Sequence, residues 1–379
     1  LTFDEVLSVV DGGITGYPYP EDPTKTYMKY ELAESVKVLD LIQSIVTSTA
    51  LISSIISATE YNGATGLHTQ RKIVRASDGT LYCVYIRQFN GYYHVFVSKS
   101  TDNGNTWIEE TRISSHPSLD NYSQFYPAIA IDSQNRIYVV WYGRSQESPD
   151  YTQIWFSMFD GNNWTTPVMI SQGFTAGGVP SIAVDSQDRI HVVFQGVRPD
   201  DVTTQQIWYI MFDGSNWSTP VRISTYSGME NYAHWRPSIA IDSQDRIHVV
   251  WDGGAPEYPY CQIWYAKCEG GSWSVPVRIS TYSGMENYEQ TYPSIAVDSQ
   301  NRIHVMWSGR ATGYTDYSKI WYRVYDGGWS IPECLHLEGQ NFNPNIRWSY
   351  YPSYNRMTNR LEYVYTSGTK APYNIVFVS

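Results

Sequence analysis

The sequence of 379 residues has little charge, and the balance of that charge is acidic. Only 17% of its residues are charged, and 26 Lys and Arg face 37 Asp and Glu, which gives a formal net charge of −11. Proteins that bind nucleic acid need basic patches to neutralise the phosphates. We therefore expect no nucleic-acid partner.

Cysteine is scarce and long apolar runs are absent. Cys83, Cys261, Cys268 and Cys334 have neither metal-ligand nor redox-pair spacing. We interpret them as buried thiols and leave open a disulfide such as Cys268–Cys334. No apolar segment has the length of a clear membrane span. Phosphate-binding loops, nucleophile elbows and H-E-x-x-H motifs are also missing, so we expect no cofactor and no metal.

Aromatic residues, in contrast, are abundant. They make up 15% of the chain, with 33 Tyr, 14 Trp and 11 Phe. Disordered chains have the opposite balance of charge and aromatic content, so this chain folds around a large core. Lys is sparse, whereas Tyr, Ser, Thr and Asn are common. This composition favours an extracellular location or a virion surface.

An internal repeat is the strongest pattern in the sequence. The segment 127–141 recurs at 180–194, 237–251 and 293–307, a period of roughly 55 residues. A block with Ile-Trp follows each copy, and then a Gly turn and a Trp, at Trp164, Trp217, Trp273 and Trp329. The segment 221–232 repeats letter for letter at 277–288.

Each repeat predicts four short β-strands, which we name A to D. Apolar alternation and β-branched residues indicate strands A and B, and the polar Asp-Ser-Gln-Asn type of segment between them indicates a tight turn. Four strands at this period are typical of a β-propeller blade. We predict an all-β fold: a six-bladed β-propeller of four-stranded antiparallel blades over residues 59–379.

The sixth predicted blade is assembled from both ends of the propeller. Three of its strands lie at 344–348, 361–365 and 374–378, and the fourth is expected from residues 60–67. Such closure removes exposed sheet edges. Five blades followed by a tail that forms no blade is the alternative.

Residues 1–58 do not repeat and form an N-terminal extension. Residues 28–58 have a helical pattern, with Ile42, Ile45, Ile52 and Ile56 at near-heptad spacing. An exposed apolar stripe of this kind favours self-association, so we predict a helical stalk or assembly segment. The alternative is a helix that packs against the side of its own propeller.

The turn Ser100-Thr-Asp-Asn-Gly-Asn-Thr-Trp107 has the pattern S-x-D-x-G-x-T-W. Its Asp102 is expected to bind the turn backbone, Gly104 to supply positive φ, and Trp107 to pack between sheets. The turn and the repeats, over about residues 60–379, resemble the Asp-box (BNR-repeat) proteins. That family includes six-bladed sialidases and many non-enzymatic propellers, and its box is a marker of fold rather than of catalysis.

The resemblance to sialidases implies three arginines that bind a carboxylate, a Tyr–Glu nucleophile pair and an acidic Asp. Arg71, Arg236 and Arg347 are the nearest matches to the arginines, and Glu230 precedes Arg236. However, Glu230 has an identical twin in the repeat. A copied loop is more simply a structural or binding loop than half of an asymmetric catalytic site.

Aromatic and basic residues recur in the D–A and B–C loops, which open on one face of a propeller. Flat side chains with polar tips suit contacts with sugars or proteins. The candidate ligand-binding residues are Tyr122, Arg144, Tyr232, Trp235, Arg236, Tyr288, Tyr292 and Arg310. We interpret His191, His248 and His304, which share one strand-B position, as packing residues rather than metal ligands.

These observations lead to two functional hypotheses. The first is a non-enzymatic extracellular or virion surface protein, such as an attachment fibre, adhesin or filament subunit, with a propeller head that recognises a glycan or cell-surface receptor. The alternative is a glycoside hydrolase of the sialidase type. The four repeated tryptophans are expected to be buried between adjacent sheets in either case.

Overall fold

The computed structural model of the protein describes residues 53–59, 71–201, 203–335, 353–355, 360–367 and 373–378. This part of the chain is all-β, as predicted, and its helices are two single 3-10 turns. Residues 52–379 form one compact unit. In the described ranges, no helix combines the length and the hydropathy needed to cross a membrane.

The strands are numbered along the chain. The first strand is β1 (Ser53–Thr59), and blade 1 follows it with β2 (Ile73–Arg75), β3 (Leu81–Phe89), β4 (Tyr92–Ser100) and β5 (Ile108–Arg112). Blade 2 contains β6 (Gln124–Ile131), β7 (Ile137–Gly143), β8 (Gln153–Phe159) and β9 (Val168–Met169). Blade 3 contains β10 (Ala176–Val184), β11 (Ile190–Val197), β12 (Gln206–Phe212) and β13 (Val221–Arg222).

Each of the next two blades is preceded by a 3-10 turn. The turn Met229–Asn231 leads into blade 4, with β14 (His234–Ile241), β15 (Ile247–Ala255), β16 (Tyr258–Glu269), β17 (Ser272–Trp273) and β18 (Val277–Arg278). The turn Met285–Asn287 leads into blade 5, with β19 (Gln290–Val297), β20 (Ile303–Ala311), β21 (Tyr314–Tyr325) and β22 (Glu333–Leu335). The last strands are β23 (Ser353–Asn355), β24 (Arg360–Ser367) and β25 (Tyr373–Val378).

The described strands form six antiparallel sheets. The A strands β2, β6, β10, β14 and β19 contact one another in succession, as expected for strands that converge on a propeller axis. The sixth sheet has the order β1-β25-β24-β23 and touches blade 1 through β1 and β23. Closure of the ring between the fifth and sixth sheets stays a prediction.

The sixth sheet differs in detail from the expectation. Its outer strand is β1, at 53–59, rather than residues 60–67, and its first described strand is 353–355, whereas 344–348 lies outside the described residues. Ile56 was expected on a helix, but it is a buried strand residue that packs with Ile73 and Leu81. Isoleucine spacing alone does not distinguish a short strand from a helix. The rest of the expected helix, including Ile42 and Ile45, lies outside the described residues.

A carboxylate organises each A–B turn. Asp242 Oδ1 accepts hydrogen bonds from the backbone N–H groups of Gln244 and Arg246, at 2.9 and 3.0 Å, and Oδ2 accepts one from Arg246 Nε at 2.6 Å. The same arrangement recurs at Asp132, Asp185 and Asp298. The repeated aspartates are therefore turn residues, as their position in the repeat predicted.

The same turns also join neighbouring blades. Asp188 accepts hydrogen bonds from the backbone N–H and the hydroxyl of Ser133 in the preceding blade, at 2.9 and 2.8 Å. Asp245 binds Ser186 in the same way. Each contact spans more than fifty residues, so these turns position one blade against the next.

The repeated tryptophans fall into two groups. Trp251 and Trp264 are fully buried, and Trp264 Nε1 donates to the Gly253 carbonyl at 3.0 Å. Trp217, from the C–D turn, is only half-buried, although its ring lies 5.1 Å from that of Phe156 in the preceding blade. The C–D tryptophans therefore pack between adjacent sheets, as expected, but they remain partly exposed to solvent.

We predict that Trp264→Ala lowers the free energy of unfolding by about 3–5 kcal/mol, because it empties a buried site. Trp217→Ala should lower it by clearly less, because that ring is already half in water. Urea denaturation followed by circular dichroism measures both. Equal losses in the two variants would contradict the packing described.

Candidate functional site

A bulge near the start of the A strand shapes the inner end of four blades. The residue before each repeated proline has positive φ: 46° at Tyr126, 45° at Val179, 53° at Arg236 and 57° at Tyr292. The pairing of strands A and B shifts register there. A bulge of this kind re-aims the backbone and side chain of its residue.

The redirected backbone of one blade binds a strand-B side chain of the blade before it. Arg236 N–H donates to Gln195 Oε1 at 3.0 Å, and Tyr292 N–H donates to Asp252 Oδ1 at 3.3 Å. The bulge and strand-B positions therefore lie together at the junctions of blades 3 and 4 and of blades 4 and 5, and the equivalent positions of the repeat recur in blade 2. We call these positions the rim, and its residues are Tyr126, Tyr142, Val179, Gln195, Arg236, Asp252, Tyr292 and Ser308.

One junction of the rim carries a buried ion pair. The Asp252 side chain is completely buried, whereas that of Arg236 is 22% exposed. Arg236 Nε donates to Asp252 Oδ1 at 2.8 Å, and its Nη2 donates to Oδ2 at 2.5 Å. The guanidinium also lies 4.3 Å from the ring centre of Tyr292 and 5.9 Å from that of Trp235. This bidentate pair holds the arginine between two aromatic rings.

Two further ionisable groups lie beside this pair. Burial raises the pKa of Asp252 to about 6, although Arg236 opposes the shift, and the negative charge of Glu289 adds to it. Burial, followed by the charges of Asp252 and Glu289, also raises the pKa of Cys261, so its thiol stays protonated and hydrogen-bonds to Glu289. Glu289 itself is exposed. The junction thus pairs a buried carboxyl with a carboxyl open to water.

The acidic groups of this junction are not copies of the repeat. In the neighbouring repeat the position of Asp252 is Ser308, and the position of Glu289 is Ala233. Sequence reasoning compared Glu230 with its twin and missed these two positions. The signal available in the sequence was the short run of differences that follows the identical segments 221–232 and 277–288.

The structure brings together three of the predicted ligand-binding residues, namely Trp235, Arg236 and Tyr292. The other predicted ligand-binding residues accept hydrogen bonds in these loops through their backbone carbonyl groups. Buried Gln290 donates to the carbonyls of Tyr288 and Arg310 at 3.2 and 2.7 Å, and Gln124 donates to those of Tyr122 and Arg144 at 3.0 and 2.9 Å. The Tyr232 carbonyl accepts from Gln206 at 2.9 Å.

Two of these glutamines, Gln124 and Gln290, each fit against a glycine, at Gly143 and Gly309. Trp307 Nε1 donates to Gln290 Oε1 at 3.0 Å, which orients the amide. A Cβ at Gly309 would lie only 1.9 Å from the same Oε1, so a side chain there would displace the glutamine. The loop face is therefore held by a buried polar network, which the aromatic composition alone did not indicate.

The Asp-box has the geometry expected of it. Thr106 donates to Asp102 through both its hydroxyl and its backbone N–H, at 2.6 and 2.8 Å, and Ser100 Oγ donates to Asp102 at 2.7 Å. These hydrogen bonds, that of the Thr106 hydroxyl foremost, lower the pKa of Asp102 to about 2. Gly104 has a φ of 89°, and Trp107 packs against the core of blade 1.

The repeated histidines connect strands within a blade. His248 Nε2 lies 3.1 Å from Asp242 Oδ2, and its Nδ1 lies 2.8 Å from the Tyr265 hydroxyl. His191 and His304 make the equivalent contacts. Across the described ranges, no group of three or more His, Cys, Asp or Glu side chains is arranged to hold a metal ion. The four cysteines are free, so Cys268 and Cys334 form no disulfide.

Comparison with known proteins identifies the class of fold. No protein-family model matches the sequence, and no curated protein matches it either. Among solved structures, the chain is similar to an α-L-arabinanase of Penicillium chrysogenum complexed with arabinobiose, with TM-score 0.55, 13% identity, and coverage of 87% of this chain and 98% of that one. It is also similar to a PL25 ulvan lyase, with TM-score 0.54, 11% identity, and coverage of 83% and 77%.

A third similar structure is the Hadza microbial sialidase Hz136, with TM-score 0.49 and 13% identity. The match covers 81% of this chain but only 64% of the sialidase. The four- and five-stranded antiparallel sheets, together with the likeness to the arabinanase and the ulvan lyase, support a β-propeller fold, and at these identities the likeness concerns the fold alone.

These neighbours correct the first functional hypothesis. A non-enzymatic surface protein was expected, but the similar structures include an α-L-arabinanase and a polysaccharide lyase, both of which are enzymes. They favour the enzymatic alternative. The identity of Glu230 and its twin does not extend to the whole face, because positions 252 and 289 differ between the neighbouring repeats.

The raised pKa of Asp252 predicts how stability depends on pH. The folded state holds the carboxyl proton of Asp252 more tightly than the unfolded state, in which an Asp side chain has a pKa of about 3.9. The contribution of Asp252 to the unfolding free energy should therefore fall, on the order of 2 kcal/mol, as pH rises from about 4 to about 6. Asp252→Asn should remove this fall, as measured by urea denaturation across that range.

Asp242→Asn provides a control of opposite sign. Burial alone would raise the pKa of Asp242, but hydrogen bonds from His248 and Arg246 outweigh it and lower the pKa. The stabilisation from Asp242 is thus present above the ordinary Asp pKa and is lost in acid. Parallel pH profiles for the two variants would contradict the assignment of Asp252.

Proposed function

We propose that this protein is a glycoside hydrolase that cleaves a glycan at the rim, next to Arg236, Asp252, Tyr292 and Glu289. The observation that carries the proposal is the pair of unlike carboxyls at one blade junction. Glycoside hydrolysis commonly uses two carboxyl groups whose environments give them different proton affinities. Asp252 is buried with a raised pKa, whereas Glu289 is exposed to solvent, so the two carboxyls lie in unlike environments.

The exposure of the two groups assigns their roles. Glu289 is exposed, so it is the candidate catalytic residue that exchanges a proton at the glycosidic oxygen or with the attacking water. Asp252 has no exposed surface and acts through its partners as a positioning residue. It fixes the Arg236 guanidinium and the backbone of Tyr292 and adds negative charge beside Glu289.

The Arg236–Asp252 ion pair also indicates whether the sugar beside it carries a charge. In the sialidases that the sequence resembles, arginines bind a substrate carboxylate. Here the guanidinium of Arg236 is already neutralised by Asp252, with two hydrogen bonds. We infer that the sugar beside Arg236 carries no carboxylate. The arabinanase and the ulvan lyase support a glycan substrate in general, since their names state activity on polysaccharides.

The first test is a screen of the full chain against neutral and acidic polysaccharides and a fluorogenic sialoside. The products are measured by reducing-end assay and mass spectrometry. We expect new reducing ends with the mass of added water on a neutral glycan, and no turnover of the sialoside. Unsaturated products would identify an elimination and contradict a hydrolase.

On the substrate so found, Glu289→Gln should lower kcat by about 10²–10⁴-fold without loss of stability, as is typical when a proton-transfer group is removed. Glu289→Ala should behave alike, and it should fold because Ala233 occupies the equivalent position in the neighbouring repeat. Glu230→Gln, an exposed carboxyl of the adjacent loop, is the matched control and should keep full activity. Equal activity of all variants would refute the role of Glu289.

The Asp252→Asn variant distinguishes a positioning role of Asp252 in catalysis from a purely structural role in folding. If Asp252 acts on Glu289 through charge, the variant should shift the acidic limb of the pH–activity profile in addition to lowering kcat. A variant that loses activity only in proportion to its loss of folded protein, with an unchanged profile, would show a structural role.

An extracellular or virion-surface location and self-association remain proposals from the sequence. A polysaccharide substrate is consistent with a location outside cells. The assembly proposal now concerns residues 1–51, because strand Ser53–Thr59 belongs to the propeller. Light scattering should show a larger oligomer for the full chain than for a chain that begins at Ile52. Two monomers of the expected masses would refute the assembly segment.

A further inference from the structure

A second feature of the rim lies at the junction of blades 1 and 2. Tyr93, Phe125, Tyr126 and Tyr142 form a chain of rings, which we call the aromatic cluster. The ring centres are 5.8 Å apart for Tyr93–Phe125, 6.0 Å for Phe125–Tyr142 and 5.7 Å for Tyr126–Tyr142. All four residues are half-buried, so each keeps part of its surface open to solvent.

Other aromatic groups on the same face have a different character. Tyr226 and Tyr258 pack on Trp264, and Tyr282 and Tyr314 pack on Trp321. Both tryptophans are buried, so those groups are parts of the core. In the aromatic cluster, Tyr93 and Phe125 pack against the core of blade 1, and Tyr142 packs against the core of blades 2 and 3. None of the four is fully buried, however, and their rings are tilted by 39–49° to one another. The exposed parts of the cluster, rather than the side on the core, therefore present an amphipathic surface to solvent.

The fold does not require these rings. Position 126 corresponds to Val179, Arg236 and Tyr292, and position 142 corresponds to Gln195, Asp252 and Ser308. The other junctions form the same bulge and the same strand pairing without an aromatic pair at these two positions. The cluster is a local departure from the repeat, as Asp252 and Glu289 are.

Tyr142 of the cluster and the candidate carboxyl Asp252 occupy equivalent rim positions in blades 2 and 4, two blades apart. A ligand that touches both must cross the inner end of the propeller. Sugar rings have an apolar face of C–H groups and hydroxyls at the edge, which suits a tilted aromatic surface with phenol hydroxyls. Burial raises the pKa of Tyr142, so its phenol remains neutral and able to donate a hydrogen bond.

We propose that the aromatic cluster is a sugar-binding subsite that stacks on a ring of a glycan chain, remote from the bond cleaved beside Glu289. This inference rests on the proposed function. It names the substrate class as a chain of several sugar rings that is cleaved internally, rather than a terminal monosaccharide.

The repeat supplies a substitution that the fold accepts. Tyr126→Val with Tyr142→Gln places the Val179 and Gln195 pair of blade 3 into blade 2. Binding of cellohexaose, xylohexaose and chitohexaose is measured by calorimetry on the full chain carrying Glu289→Gln, which prevents turnover. We expect at least one of them to bind, and the added pair of substitutions to weaken that binding about three- to tenfold.

Two controls make the result specific. Tyr82→Val removes a half-buried tyrosine at the A–B turn end of blade 1, on the opposite face, and should leave binding unchanged. The melting temperature reports folding, and Tyr126→Val alone replaces the double variant if that fails to fold. A second readout uses the chain that retains Glu289, in which the double variant is tested for hydrolysis. Its conversion of long products to short ones should be less selective, as measured by a profile of product lengths.

The outcomes separate the two proposals. Undiminished binding by the double variant, or no binding of any of the three oligosaccharides, overturns the subsite and leaves the role of Glu289 untouched. Loss of binding in the double variant, with full hydrolysis by the Glu289→Gln chain, supports the subsite and overturns the proposed catalytic residue.

Discussion

At the rim, the architecture depends on one kind of contact between neighbouring blades, which is the hydrogen bond from a bulged backbone N–H to a strand-B side chain of the preceding blade. Arg236 N–H to Gln195 and Tyr292 N–H to Asp252 are its two described examples. Without the bulge, the strand would direct that N–H into its own sheet. The contact therefore sets the position of each inner strand against the next, and with it the rim on which any ligand would rest.

Because this contact requires only a hydrogen-bond acceptor, the residue that provides the acceptor can differ from one repeat to the next. A neutral amide at Gln195 satisfies the neighbouring N–H without a change in charge. A carboxylate at Asp252 satisfies it equally well, but it must also be compensated, because its burial is complete. Arg236 supplies that compensation, and the residual cost appears as the raised pKa of Asp252. A buried ion pair of this kind is a poor source of stability, which favours a role in chemistry.

Much of the fold could be predicted from the sequence because its determinants are local and repeated. The Asp242 turn is closed within four residues, and strand B follows it directly. The final blade was harder, since β1 and β25 are far apart in the chain and Ile56 fits a helical spacing as well as a strand. The half-burial of Trp217 could not be read from a pattern either, because it depends on the neighbouring sheet.

Most of the candidate site could not be predicted from the sequence, because its contacts also join residues that are far apart in the chain. Asp252 meets Tyr292 across 40 residues, and Cys261 of strand β16 lies near Glu289, which precedes strand β19. No motif spans those separations. Arg236 and Tyr292 were predicted because aromatic and basic residues recur in the D–A loops. A comparison of the neighbouring repeats at positions 252 and 289 would have added both carboxyls.

The most direct test of the account is a map of where a glycan lies on the protein. Hydrogen–deuterium exchange of the Glu289→Gln chain, with and without an oligosaccharide of the cleaved polysaccharide, reports this for each segment. The account predicts protection at the D–A and B–C loops around the rim, in segments that contain residues 122–126, 252–261 and 289–292. Protection confined to the A–B and C–D turns on the opposite face, or to the outer strands, would contradict it.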